Sequence, residues 1–249
     1  MRRAAGRTRL DTTSYVALSR QIALQRAMQV VANNVANLGT TGFKAQSVLF
    51  ETVLERAGEP RTVAFVQDVA TVRDPSPGPI LPTGGPLDLA IRGPGYFTVL
   101  TPAGERYTRA GQFLRDAQGE LVTPDGHPLL DEGGRPIVLP PEETAPTIAA
   151  DGTIAGRRGI LGRIGLVSFP APERLRPEGG GLLASDEPPI PGAPGGIVQG
   201  ALEGSNVQGV LEITRLIEIT RAFEGTQRMI ETHHELTRRA VERLAGVSA

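Results

Sequence analysis

The sequence predicts a mainly β central domain, a sandwich- or barrel-like meander, framed by long N- and C-terminal α-helices that pair as a coiled-coil-like layer. Three observations predict it. Apolar residues recur every seven positions at both ends of the chain. The stretch between them is cut into short apolar runs by turn residues. Gly 31 and Pro 21 in 249 residues make turns and extended segments abundant. With no Trp, 3 Tyr and 7 Phe, the core must be largely aliphatic.

The first helix is expected from Thr12 to Leu38, with Asp11, Thr12, Thr13 and Ser14 offering capping oxygens. Ala17, Leu24, Val31 and Leu38 repeat every seven residues, with Gln21, Met28 and Val35 between them. The ten residues before Asp11 form a basic leader without apolar periodicity, and residue 10 is the expected translation start. The helix runs into ANNVANLGTTGFKAQ. Asn33, Asn34 and Asn37 are poor helix-interior residues because their amides compete for backbone partners. Gly39 is expected to end the helix in the left-handed conformation, and Gly42 to allow a second sharp turn. Phe43 is then free to anchor the exit.

Residues 46–86 read as an extended connector, with one strand expected at Val63–Val72. Residues 87–204 read as the β domain. Leu87–Ile91, Tyr96–Leu100, Arg106–Thr108, Gln112–Leu114, Glu120–Val122, Pro128–Leu130 and Pro136–Leu139 are short strands separated by Gly-, Asp- and Pro-containing turns. A second β stretch covers Thr147–Gly156 and Arg163–Phe169. Residues 170–196 are expected to be loop. Residues 11–45 and 205–249 together form the expected helical domain. Ser205 and Gln208 match a capping box, and Leu216, Phe223, Ile230 and Leu244 lie seven or fourteen residues apart. Ile219, Thr226, His233 and Ala240 form the alternate row. A helix of roughly 40 residues would reach about 60 Å.

The chemistry that is missing is informative. Zero cysteines exclude disulfides and thiolate metal sites. The net charge of −1 argues against nucleic-acid binding. No Walker loop, G-x-S-x-G elbow or H-E-x-x-H pattern is present. His127 stands alone in a turn, and the adjacent His233 and His234 point to different helix faces. No catalytic, cofactor or metal site is expected, and no run of apolar residues is long enough to insert into a membrane.

Three segments resemble the flagellar basal-body rod and hook family: VVANNVANLGTTGFKAQ, PLDLAIRGPGYFTVLTPAGERYTRAGQFLRDAQGELVTPDGHPLL and VQGALEGSNVQGVLEITRLIEITRAFEGTQRMI. They stand in the family's order and span nearly the whole chain. The opening helix is most similar to that of proximal-rod members. Distal-rod or hook-type subunits are the alternatives within the family, and a secreted β-domain binding module is the alternative outside it. The resemblance implies a structural subunit exported unfolded by the flagellar type III apparatus. It implies polymerisation with copies of itself and other rod subunits into a hollow, torque-transmitting shaft across the periplasm, without catalysis or cofactors. Leu24, Met28, Val31, Asn33, Asn34, Asn37, Phe43, Leu216, Ile219, Phe223 and Ile230 are then expected at assembly contacts. Phe50 and Leu54 match the family's aromatic-x-x-x-apolar export-gate pattern. The family often carries Asn-Pro after Ser-Asn-Val, where this chain has Gln208-Gly209.

Overall fold

The computed structural model describes the backbone of residues 4–56 and 62–246, and the side chains of residues 16–50, 70–240 and 242–243. The chain divides into two compact units. One comprises Met1–Ala36, Gln46–Val72 and Gln208–Ala249, the other Asn37–Ala45 and Arg73–Val207.

The first unit holds α1 (Ala4–Ala36) and α2 (Gly209–Gly246), which pack on each other, and a two-stranded sheet of β1 (Gln46–Arg56) and β2 (Thr62–Arg73). Helix α1 begins ahead of the expected Asp11–Ser14 cap. Ala and Arg are strong helix formers, so the residues before Asp11 extend the helix rather than stop it. Strand β1 was not expected. Its sequence, QSVLFETVLER, contains no Gly or Pro, but helix formers outnumber its β-branched and aromatic residues, so its pairing with β2 and not local propensity makes it a strand.

Helix α2 is one element of 38 residues. Its least exposed face carries Glu212, Leu216, Ile219, Phe223, Thr226, Ile230, His233 and Thr237, at alternating spacings of four and three. That is the periodicity of a heptad seam. Leu244 and Leu54 lie outside the residues whose side chains are described. The expected capping box does not form. The Ser205 hydroxyl accepts from the Val207 N–H at 3.2 Å, and the Gln208 carbonyl accepts the first helical bond, from Glu212 at 3.0 Å. Gln208 is therefore the cap residue, and Gly209 opens the helix at the position that proline favours most.

The second unit is built on an open antiparallel sheet of six strands, and no closed barrel forms among the described residues. After β3 (Ile80–Pro82) and β4 (Leu89–Arg92), its centre is the hairpin of β5 (Tyr96–Thr101) and β6 (Gly104–Thr108). Thr101 pairs with Gly104 around a two-residue turn, and Phe97 with Thr108 at the far end. The strand period of two sends Phe97 and Val99 into the main core with Leu89, Ile91, Leu129, Ile154 and Ile164. Tyr96 goes to the opposite face, where it packs with Tyr107, Leu175, Leu183 and Phe169. Both faces are thus covered. Phe97 meets Phe113 edge-on at 5.3 Å, and burying such a ring contributes about 1.5–3 kcal/mol.

Two further expectations need correction. Pro128–Leu130 and Pro136–Leu139 form isolated bridges, such as Leu130 with Pro136, instead of strands. Residues 170–196 are not all loop: Leu182–Ala184 is a buried strand of the main sheet, paired with Tyr107 and Thr108. Three residues among glycines carry no local strand signal, and the partner lies over seventy positions away.

Candidate functional site: a buried charge cluster and an asparagine clasp

The segment Asn37–Ala45 belongs to the β unit. It leaves α1 through a turn in which Thr40 N–H donates to the Asn37 carbonyl and the Thr40 hydroxyl donates to Asn37 Oδ1. Gly39 does not take the left-handed conformation expected of it; that conformation falls on Gly42, at φ 69°. A Cβ on Gly42 would stand 2.5 Å from the Arg109 carbonyl carbon, so only glycine fits. Gly42 N–H then donates to the Glu203 carbonyl at 2.7 Å.

This close approach delivers Lys44, Arg109 and Glu203 to one point. Glu203 is 1% exposed, Lys44 8% and Arg109 6%. Lys44 Nζ donates to Glu203 Oε1 at 2.6 Å and to the Ser76 carbonyl at 2.7 Å. Arg109 Nε donates to Glu203 Oε2 at 2.7 Å. Gly78 N–H is the third donor to the carboxylate, reaching Oε1 at 3.0 Å, and a Cβ on Gly78 would collide with the Gly204 carbonyl oxygen at 2.0 Å. The rest of the Arg109 guanidinium clamps the Gly93-Pro94-Gly95 turn, donating to the carbonyls of Gly93, Gly95 and Ile91. Asn206 finishes the node. Its Oδ1 accepts from Ala45 N–H at 2.7 Å, and its Nδ2 donates to the carbonyls of Asp74 and Ser76.

Burial opposes the charge on Glu203, but Arg109 and Lys44 more than offset it and hold its pKa below the usual carboxylate value. Burial also pushes Lys44 below its usual value, against the pull of Glu203. The asymmetry has a simple cause: the carboxylate has two cations, whereas the two cations share one carboxylate.

A second polar node sits in the helical unit. Asn34 is the buried asparagine of the three. Its Nδ2 donates to the Gln46 carbonyl at 2.8 Å and to Glu212 Oε2 at 2.9 Å, while Oδ1 accepts from Gln46 N–H at 2.9 Å. One side chain thereby ties α1, β1 and α2. Asn33 is exposed and Asn37 part-buried. Leu24, Met28 and Phe43 are half-buried, Val31 is buried, and Phe50 is exposed. Lys44, Arg109 and Glu203 were not among the residues expected to matter. The signal available was a charge inside an apolar run, as in VQGALE, but nothing local joins positions 44, 109 and 203.

Among the described residues no group of acidic or histidine side chains could hold a metal ion, and no helix is long and apolar enough to cross a membrane. What the geometry defines is a buried polar cluster that joins three segments far apart in the chain, around Lys44, Arg109 and Glu203.

The comparisons fall on these three regions. Residues 15–44 match the flagella basal body rod protein family, residues 90–156 the flagellar hook protein FlgE/F/G D1 domain, and residues 198–243 the flagellar basal body rod FlgEFG protein C-terminal domain. Lys44, Arg109 and Glu203 come one from each. The chain is 42% identical to the flagellar basal-body rod protein FlgF of Caulobacter vibrioides, over 96% of this chain and 100% of the relative. It is 39% identical to FlgF of Mesorhizobium japonicum, over 96% and 100%. To the rod protein FlgG of Bacillus subtilis it is 31% identical, over 91% and 97%. The chain belongs to the flagellar basal-body rod protein family, and within it to the FlgF type. It is accordingly a structural component of the basal-body rod and not an enzyme.

Proposed function

We propose that this subunit polymerises through its terminal helices, which pair as a coiled-coil-like layer. One observation carries the reading. Helix α2 turns its heptad face inward, yet leaves a second apolar stripe open: Val210, Ile213 and Ile217 are all exposed, Val210 at 80%. Spacings of three and four keep that stripe on one side of the helix. Leu18 and Ile22 are likewise exposed on α1. A monomer has no use for two apolar faces on one helix, whereas a subunit packed among neighbours does.

The heptad residues Leu216, Ile219, Phe223 and Ile230 then hold the pair of helices within the subunit and complete the layer. The partners are copies of this chain and other rod subunits. The chain reaches them unfolded, through the flagellar type III apparatus, with Phe50 and Leu54 as the export-gate contact, and the finished rod crosses the periplasm at its proximal end.

Complementation of a null strain tests this, with secreted protein, basal-body incorporation and swimming measured together. Ile213→Asp with Ile217→Asp should leave secretion and the folded monomer intact but abolish incorporation, because a neighbouring apolar face cannot accommodate unpaired carboxylates. Normal swimming of that variant would remove the helical layer from the reading. Phe50→Ser should lower secretion without altering the stability of the purified protein.

A further inference from the structure

Beside the charge cluster the β unit contains a cavity of about 300 Å³. Lys44 and Arg109 form its polar side, with Tyr96, Phe169, Pro75 and Pro94 among its walls. The electrostatics of this place are unbalanced. Two buried cations share the single carboxylate of Glu203. An ammonium has three N–H donors, and Lys44 directs two of them, to Ser76 and Glu203. A third cation stands close by. Arg73 Nη2 donates to the carbonyl of Pro172, itself a wall residue, and Arg73 Nε is buried without a hydrogen-bond partner. Asp74 acts on Lys44 only across space: its Oδ1 accepts from Ser76 N–H at its own turn, and it is not a hydrogen-bond partner of the ammonium. Buried positive charge in excess of the negative charge beside it is unfavourable, and so is a buried N–H without an acceptor.

We propose that this cavity is a carboxylate-binding site, filled in the assembled rod by one acidic side chain of a neighbouring subunit. The walls specify the ligand as closely as the cations do. Proline and aromatic rings accept the methylene stem of an Asp or Glu, and the excess charge to be neutralised is small. A phosphate, doubly charged and without a stem, matches neither feature. Burial lowers the Lys44 pKa from its usual value despite Glu203, which is the strain a second carboxylate would relieve. The carboxylate chemistry rests on the β unit alone; only its source rests on the rod-subunit reading.

The test uses the full-length protein, ¹⁵N-labelled, titrated with sodium propionate at constant ionic strength, with propionamide and sodium chloride in parallel. Saturable shifts of the Gly93, Gly95 and Tyr96 amides are expected with propionate and not with the other two. Ser168 also lines the cavity. Ser168→Glu supplies a carboxylate from within and should weaken propionate binding at least about tenfold, whereas Ser168→Gln, of equal size, should not. No response to propionate, or an equal response to chloride, overturns the site. The source is tested in basal bodies, where Ser168→Glu should be secreted normally but incorporated less than Ser168→Gln. Equal incorporation overturns the neighbouring-subunit source. Absence of the unaltered protein from basal bodies would instead count against the rod reading, leaving the propionate result standing.

Discussion

Replacing Glu203 with Gln removes one charge and almost no volume, and it should strongly destabilise the β unit. The carboxylate accepts from Lys44, Arg109 and Gly78, and all three charged side chains are over nine-tenths buried. After the substitution two cations remain inside with no anion. The new amide also turns a donor toward a side already crowded with donors. Removing one partner of a buried ion pair costs about 3–5 kcal/mol, against a typical total stability of about 5–15 kcal/mol. For a unit of this size that lowers the melting temperature by roughly 6–20 °C. The chain has no Trp, so urea and thermal unfolding would be followed by near-ultraviolet circular dichroism of Tyr96 and Tyr107, both packed in this unit. Lys44→Met combined with Arg109→Met and Glu203→Leu should recover only part of the loss: it removes the buried charges, but leaves the carbonyls of Gly93, Gly95, Ile91 and Ser76 without these donors. A cost below about 1 kcal/mol for Glu203→Gln, near the value of an exposed pair, would refute the claim that the cluster closes the unit.

Further outcomes follow from the same geometry. Asn34→Ala removes the partner of Gln46 N–H and of Glu212 Oε2 and should destabilise the helical unit by about 2–4 kcal/mol in chemical denaturation. Gly225 lies inside α2 with open space where a Cβ would stand, so Gly225→Ala should stabilise the monomer by about 1 kcal/mol, read as a higher melting temperature. The Glu203 pKa is depressed in the folded state, so its contribution is full above the usual value of 4.5 and is lost as pH falls through the lower, folded value. Acid unfolding of the native chain should be steepest below that point, and Glu203→Gln should flatten that slope; an identical acid profile for the two would contradict the assignment.

Much of this architecture is legible in the residue order, and the legible part is the periodic part. Every third or fourth apolar residue from Ala17 to Val35, and from Leu216 to Ile230, marks a helix face without reference to anything else in the chain. The alternation of Tyr96, Phe97, Thr98 and Val99 likewise marks a strand covered on both sides. These signals are local, because a helix face or a strand face is generated by the backbone repeat itself. The resemblance of three segments to one family was legible for the same reason, as runs of neighbouring residues.

The tertiary structure alone decided which polar residues matter. Asn33, Asn34 and Asn37 read alike in sequence, yet Asn34 is the one buried, because β1 and Glu212 approach from that side. Gly39 and Gly42 look alike in sequence; the left-handed turn falls on Gly42, whose backbone also lies too close to Arg109 for any side chain. Leu182–Ala184 becomes a strand only because β6 presents a free edge to it. Lys44, Arg109 and Glu203 read singly as solvated charges. They become a buried cluster because three segments, each closing its own turn or strand, bring them within hydrogen-bond reach, and no periodicity records an encounter between residues so far apart in the chain.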